Sequence, residues 1–199
     1  MLLAIDTSAG TSVAVVDRDR GVLAERDSLD TRGHAELIGA FIRDALAEAG
    51  IAPAELSGVV AGMGPGPFTG LRVGIAAAKA FAFGIGKPLV PLVSHDAVAF
   101  EVGAAMLVTT DARRRERYVS VYGDPDELRL PVRLSGPTVV KADDVPTHVH
   151  RLDAARIPAG ALGMLAETLF AHGRPLAADE ALYLRSPDIT LSAGPKRVS

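Results

Sequence analysis

Apolar and polar positions follow two different rhythms along the first hundred residues. Leu2-Leu3-Ala4-Ile5 is an unbroken apolar run, as expected of a strand buried on both faces. It ends in Asp6-Thr7-Ser8. The turn Ala9-Gly10 leads into a second strand, Thr11 to Val16, and Asp17 to Gly21 turn the chain into a third, Val22 to Asp27. Three strands joined by tight turns predict an antiparallel meander. The period then lengthens. Leu37, Ile38, Phe41, Ile42, Ala45, Leu46 and Ala49 recur at helical spacing, predicting a helix over 33–49 that Gly50 and Pro53 close. A strand at 57–61, a helix at 70–84 and a strand at 89–93 complete this half. Strands alternating with helices predict an α/β fold, a sheet layered by helices.

Beyond residue 100 the pattern thins. Residues 105–109 and 118–122 read as strands flanking the polar stretch 110–117. Residues 123–156 are rich in proline and charge, with a short strand at Thr138-Val139-Val140. A helix follows from Ala159 to Ala171, and the tail beyond Pro187 is expected to be mobile. The chain therefore divides into an N-terminal lobe, 1–100, and a smaller C-terminal lobe with tail, 101–199. No sequence repeat relates them.

The most distinctive segment is Gly62 to Gly74, GMGPGPFTGLRVG, with five glycines and two prolines in thirteen residues. Glycine permits positive φ and close backbone approach, and proline fixes φ, so this is a shaped turn. A strand, a glycine-rich turn and a helix start suit an anion, because free N–H groups meet the positive helix end. Close packing of strand against helix accounts for the same glycines, and the segment alone leaves both readings open. Neither known phosphate fingerprint is present: Gly86-Lys87 runs into Pro88, and Thr69 stands where a dinucleotide motif needs its third glycine. Asp6, Thr7 and Ser8 place a carboxylate and two hydroxyls where a phosphate–metal group could sit, although each also suits an ordinary turn.

AIDTS at 4–8, GMGPGPFTGLRVG at 62–74, GKPLVPL at 86–92, DARRRERYVSVY at 111–122 and LYLR at 182–185 occur in that order. Together they resemble the TsaB (YeaZ-like) family, accessory proteins for threonylcarbamoyladenosine synthesis on tRNA. The resemblance implies the actin-like ATPase (ASKHA) two-lobe fold, here with a reduced second lobe. It implies partnership with a TsaD-like catalytic paralogue and a TsaE-like ATPase, and a homodimer in their absence. It also implies that tRNA is met only through the complex.

Several absences shape the expected chemistry. The second half holds no Asp-x-Gly step to serve as a further phosphate loop, and Gly160-Ala-Leu-Gly163 is either a relic of an adenosine loop or an ordinary helix start. Where the catalytic paralogue carries two metal-binding histidines, this chain reads Ser94-His95-Asp96-Ala97-Val98-Ala99, with Ala99 in the second place. One imidazole makes a poor metal site. His148-x-His150 reads as a solvated strand face, so no metal is expected. There is no cysteine and no G-x-S-x-G elbow for nucleophilic catalysis. Net charge −3 gives no global reason to bind nucleic acid, and Arg113 to Arg117 reads as a solvated hairpin tip. With no basic n-region and no apolar run of membrane-spanning length, the chain is expected to be cytoplasmic, with no membrane partner.

Two helices carry more apolar surface than one sheet face can cover. The first has the stripe through Phe41. The second, Leu71 to Phe83, is interrupted only by Arg72, Gly74 and Lys79. Leu37, Phe41, Ile42, Ala45, Gly74, Ala77, Ala78 and Phe81 are the expected partner interface, burial between the two helices being the alternative. The expected function is a non-catalytic activator of the TsaD-type enzyme that threonylcarbamoylates the tRNA adenosine next to the anticodon. Asp6, Thr7 and Ser8 would be a nucleotide-proximal remnant. The isolated chain is expected to hold no cofactor, with ATP or ADP reserved for the partner complex. The alternatives are a self-sufficient small actin-like kinase or carbamoyl transferase, and a tRNA-binding module.

Overall fold

The computed structural model describes residues 1–146 and 150–185. The meander forms as the apolar runs require: β1 (Leu2–Asp6), β2 (Thr11–Asp17) and β3 (Gly21–Ser28) pair antiparallel, with Ile5 opposite Val13. Helix α1 (His34–Ala49) follows and ends at Gly50, whose φ of 68° only glycine adopts freely. β4 (Gly58–Gly62) then joins the other edge of β1 in parallel, α2 (Phe68–Ile85) follows, and β5 (Leu89–Leu92) lies parallel beyond β4. The five-stranded order is β3-β2-β1-β4-β5.

Both faces of this sheet are covered, which is why its central strands read as unbroken apolar runs. Leu3, Ile5, Val13, Val15, Val59 and Ala61 pack under α1 and α2. Ala4, Ala14, Val16 and Val60 face the other way, into a second core. Helix α2 is apolar enough to cross a membrane by length and composition, yet Leu71, Gly74, Ala78 and Ala82 are buried against its own lobe.

The chain passes to the second sheet through α3 (Ser94–Val102), a helix that the sequence pattern did not signal. Its apolar positions lack one stripe, because the sheet core, α4 and β6 cover it from several sides. β6 (Met106–Asp111), β7 (Glu116–Tyr122) and β8 (Arg133–Lys141) form a second antiparallel meander, and β9 (Arg151–Asp153) pairs parallel with β6. β8 is much longer than the expected 138–140 strand. It runs along an edge, with charged and small residues where a buried strand would be apolar.

The order β8-β7-β6-β9 repeats β3-β2-β1-β4 strand for strand. This is structural duplication without a sequence repeat. In the first sheet the connection from the meander to the parallel strand contains α1. In the second it is a shorter connection, residues 142–150, whose described part opens with a 3-10 turn at Ala142–Asp144. The outer face of the second sheet consequently has a small core, Leu107, Val119 and Val145. That is what makes the second lobe small. The architecture is the two-lobe actin-like α/β fold with a reduced second lobe.

The final helix α4 (Ala159–Ala171), within the stretch 101–199, packs on β1, β2 and β3 of the first sheet. Gly160 and Gly163 explain themselves here: a Cβ on either would come within 2.8 and 2.7 Å of the valines at 22 and 16 respectively. They are contact glycines, which leaves no need for an adenosine-loop relic.

Candidate functional site

The end of β1 meets the glycine-rich segment at the head of α2. Asp6 is buried, and both oxygens of its carboxylate accept hydrogen bonds from the chain itself. Oδ1 accepts the Ser8 backbone N–H at 2.7 Å and the Ser8 hydroxyl at 2.5 Å, while Oδ2 accepts the Ser94 hydroxyl at 2.5 Å. Ser94 Oγ in turn accepts the N–H of Gly64 at 3.0 Å. Burial pushes the Asp6 carboxyl above the ordinary range, and these hydrogen bonds oppose that shift. Thr7 donates its hydroxyl to the Gly70 carbonyl at 2.6 Å. The candidate remnant Asp6, Thr7 and Ser8 is therefore tied to the glycine segment.

The glycines are required by this approach. A Cβ on Gly66 would sit 2.7 Å from Ser8 Cα, and one on Gly70 2.6 Å from the Thr7 carbonyl oxygen. On Gly62 and Gly74 it would overlap the side chains of Asp6 and Thr7. Close packing, rather than an open phosphate turn, accounts for most of the motif. Gly70→Ala is expected to destabilise the chain by about 2–4 kcal/mol, since the obstructing atom is backbone and cannot step aside. Urea unfolding measures this, with Gly39→Ala, which meets open space, as the control.

Opposite this junction lies the β6–β7 hairpin tip. Arg113, Arg114 and Arg115 are exposed and carry φ of 62°, 51° and 60°. The tip is not merely solvated, as the sequence suggested. Arg113 and Arg117 line an interlobe pocket of about 280 Å³ with Ser8, Pro67, Asp111 and Asp153. Two carboxylates among two guanidiniums make a mixed field, not a basic one.

The motif LYLR at 182–185 acts as a strap across this region. Leu182 N–H donates to the Met63 carbonyl at 2.8 Å, and the Tyr183 ring rests on Phe68 with centroids 4.9 Å apart. Arg185 donates to the Ala112 carbonyl at 2.6 Å and pairs with Glu116 at 3.1 Å. It ties the glycine segment to the hairpin tip.

Two of the histidines, His95 and His34, are structural. His95 is fully buried in α3, its Nδ1 2.8 Å from Ser120 Oγ and its Nε2 2.9 Å from Thr110 Oγ1. It bolts the first lobe to the second sheet. Burial, then the nearby Arg133 charge, pushes its imidazole down to about 3. His34 lies 2.8 Å from Thr11 Oγ1. Of the His148-x-His150 pair, His148 lies outside the described residues and His150 is exposed. Among the described residues no cluster of three metal-ligating side chains occurs.

The expected interface residues fall into two sets. Ala45, Gly74 and Ala78 are wholly inside and Ile42 nearly so, at 9% exposure. Leu37, Phe41, Ala77 and Phe81 are half-buried at the outer rim of the α1–α2 layer. Between the helices runs an apolar groove of about 490 Å³, lined by Gly39, Ile42, Arg43, Leu46, Pro53 and Phe81. Phe83 stands 90% exposed on α2.

Fold and junction together define an actin-like protein whose first-lobe carboxylate is buried and hydrogen-bonded within the chain. Residues 13–132 match the family model "TsaD: tRNA N6-adenosine threonylcarbamoyltransferase". An uncharacterized protein of Mycobacterium tuberculosis is 43% identical over 146 residues, covering 72% of this chain and 66% of the relative. The tRNA threonylcarbamoyladenosine biosynthesis protein TsaB of Haemophilus influenzae is 37% identical over 125 residues, covering 60% of this chain and 52% of that protein. A crystal structure from Pseudomonas aeruginosa, described as similar to peptidase YeaZ, superposes with a TM-score of 0.77 at 25% identity, over 92% of this chain and 99% of that one. The chain belongs to the TsaD family and, within it, to the TsaB (YeaZ)-like members. Its matches span 66% of the mycobacterial relative and about half of TsaB.

Proposed function

We propose that this chain is a non-catalytic partner that activates a TsaD-type enzyme in threonylcarbamoylation of tRNA adenosine. The observation that carries the reading is the buried, internally hydrogen-bonded carboxylate of Asp6. A metal-organising aspartate turns its lone pairs to the nucleotide, and here Ser8 and Ser94 occupy three of about four lone-pair sites. Freeing them would strip hydrogen bonds from a buried charge. Thr7 is likewise committed to Gly70. This favours an activator over a self-sufficient kinase or carbamoyl transferase. The mixed charge around Arg113 and Arg117 gives no support to a free-standing tRNA-binding module.

The same reading assigns the outer rim of α1 and α2, centred on Phe41, as the face that meets the TsaD-like partner, or a second copy when that partner is absent. ATP or ADP is then handled in the complex, which includes a TsaE-like ATPase, in the cytoplasm. The isolated chain is expected to hydrolyse no ATP, while its addition to a TsaD-type enzyme supplied with TsaE-type ATPase and threonylcarbamoyl donor raises tRNA modification. Released phosphate and tRNA nucleoside analysis check both halves. Sustained ATP turnover by the partner-free chain that is lost in Asp6→Asn would sink the proposal.

A further inference from the structure

A cavity of about 340 Å³ lies where α3, the β7–β8 loop, the end of α4 and the segment after it converge. None of its lining residues belongs to α1 or α2. Its apolar wall includes Leu165 and Leu169, and its polar wall carries two carboxylates and two guanidiniums: Asp96, Asp126, Arg133 and Arg174.

None of these four charges is fully satisfied by the others. Asp96 Oδ1 accepts the Tyr122 hydroxyl at 2.7 Å, whereas Arg133 Nη1 stands 3.7 Å away, beyond a direct hydrogen bond. Among the described residues Asp96 Oδ2 receives no hydrogen bond, and the Arg133 guanidinium donates none. Arg174 reaches Asp126 Oδ2 through one nitrogen at 3.3 Å, a long single contact where a forked pair is available. Asp126 Oδ1 is occupied with the N–H groups of Leu128 and Leu130, both at 2.9 Å, so the loop that walls the cavity is organised around it. Ala177 N–H, held at 3.2 Å by the Pro91 carbonyl, fixes the opposite wall.

We propose that this cavity binds a small aliphatic α-amino acid. Its carboxylate lies against Arg133 and Arg174, its ammonium against Asp96 and Asp126, and its side chain on Leu165 and Leu169. The charge pattern selects the ligand class. A simple anion would meet two carboxylates along with the guanidiniums, and a simple cation would meet the reverse. A zwitterion answers both signs at once and leaves the site neutral. The aliphatic preference follows from the leucine wall, since a buried polar side chain would find no partner there. Burial alone holds the Asp96 carboxyl above its ordinary range, and a bound ammonium offsets that cost.

The test is calorimetric titration of the purified chain with L-leucine and L-valine, compared with L-leucinamide and N-acetyl-L-leucine. Each derivative removes one of the two ligand charges. Saturable binding of at least one free amino acid is expected, with roughly tenfold or greater loss for both derivatives, the worth of one charge-assisted hydrogen bond. Arg133→Met is expected to show the same loss with an unchanged circular dichroism spectrum. Should that variant fail to fold, Arg174→Met carries the comparison, because its side chain is half-exposed. No saturable binding up to about 10 mM overturns the proposal. So does equal affinity for the blocked derivatives, or unchanged affinity in a folded arginine variant.

Discussion

Acidification below pH 6.5 is expected to destabilise the folded chain steeply, with His95 as the principal acid-sensitive group. Its imidazole titrates at about 3 when folded, because burial and the Arg133 charge both disfavour the proton. In the unfolded chain the ring titrates near 6.5. Between these values the unfolded chain binds a proton that the folded chain does not. The His95 contribution is thus fully present above pH 6.5 and is lost as pH falls toward 3, with a slope approaching about 1.4 kcal/mol per pH unit. His34, also lowered chiefly by burial, acts in the same direction. Asp6 and Asp96 act in the opposite one. Burial raises both, so their contribution is present below the ordinary carboxylate range and is lost as pH rises through their folded values.

His95→Gln separates these contributions. A glutamine amide can meet the Ser120 and Thr110 hydroxyls but does not titrate. Urea unfolding of both proteins from pH 7.5 to 4.5 is the measurement. The variant is expected to be less stable at pH 7.5, and the gap is expected to close or reverse on acidification. Parallel stability curves for the two proteins would remove His95 as the acid-sensitive bolt between the lobes.

The first sheet was legible because its signals are local. Apolar runs bounded by Gly10, Gly21 and Gly50 announce strands and a helix without reference to anything distant. α3 was illegible for the converse reason. With Ser94 and His95 buried toward one set of partners and Val98 toward another, no single stripe marks it. At the junction, Asp6, Thr7 and Ser8 stood out by type and by their place at a strand end. Their meaning depended on Ser94, 88 residues away, and no spacing rule pairs those two. The glycine segment was conspicuous, but whether its glycines cradle an anion or admit a neighbouring backbone depends on what lies within about 3 Å of each missing Cβ. The reduction of the second lobe was visible as thin patterning after residue 100. The strand order that reveals it as a copy of the first is carried by pairing, which composition does not record.

Phe41→Asp is expected to weaken association by about 2 kcal/mol or more, with the isolated chain still folded. Phe41 lies on the α1 stripe with Ile38, Ile42 and Ala45. Those three are covered by the chain itself, and Phe41 is left at the rim, half-exposed beside Leu37. On α2 the corresponding rim residues are Ala77 and Phe81, with small alanines at 76 and 80 between them and the solvent-facing Phe83. Small residues beside aromatics allow a second helical layer to approach closely while the aromatics fill its pockets. In a free chain an aspartate at 41 keeps access to water, so its cost to folding is modest. In an assembled apolar face it would lose its water, and dissociation is the easier response. Phe83→Asp serves as the companion variant, since at 90% exposure it touches little of its own chain and puts no fold at risk. Sedimentation of each variant, alone and with the TsaD-type enzyme, read beside circular dichroism on the same sample, separates dissociation from unfolding. A folded Phe41→Asp chain that associates with wild-type affinity would take this rim out of the interface. An unfolded one would mean that Phe41 serves the core of its own lobe, leaving Phe83→Asp to decide whether α2 meets a partner.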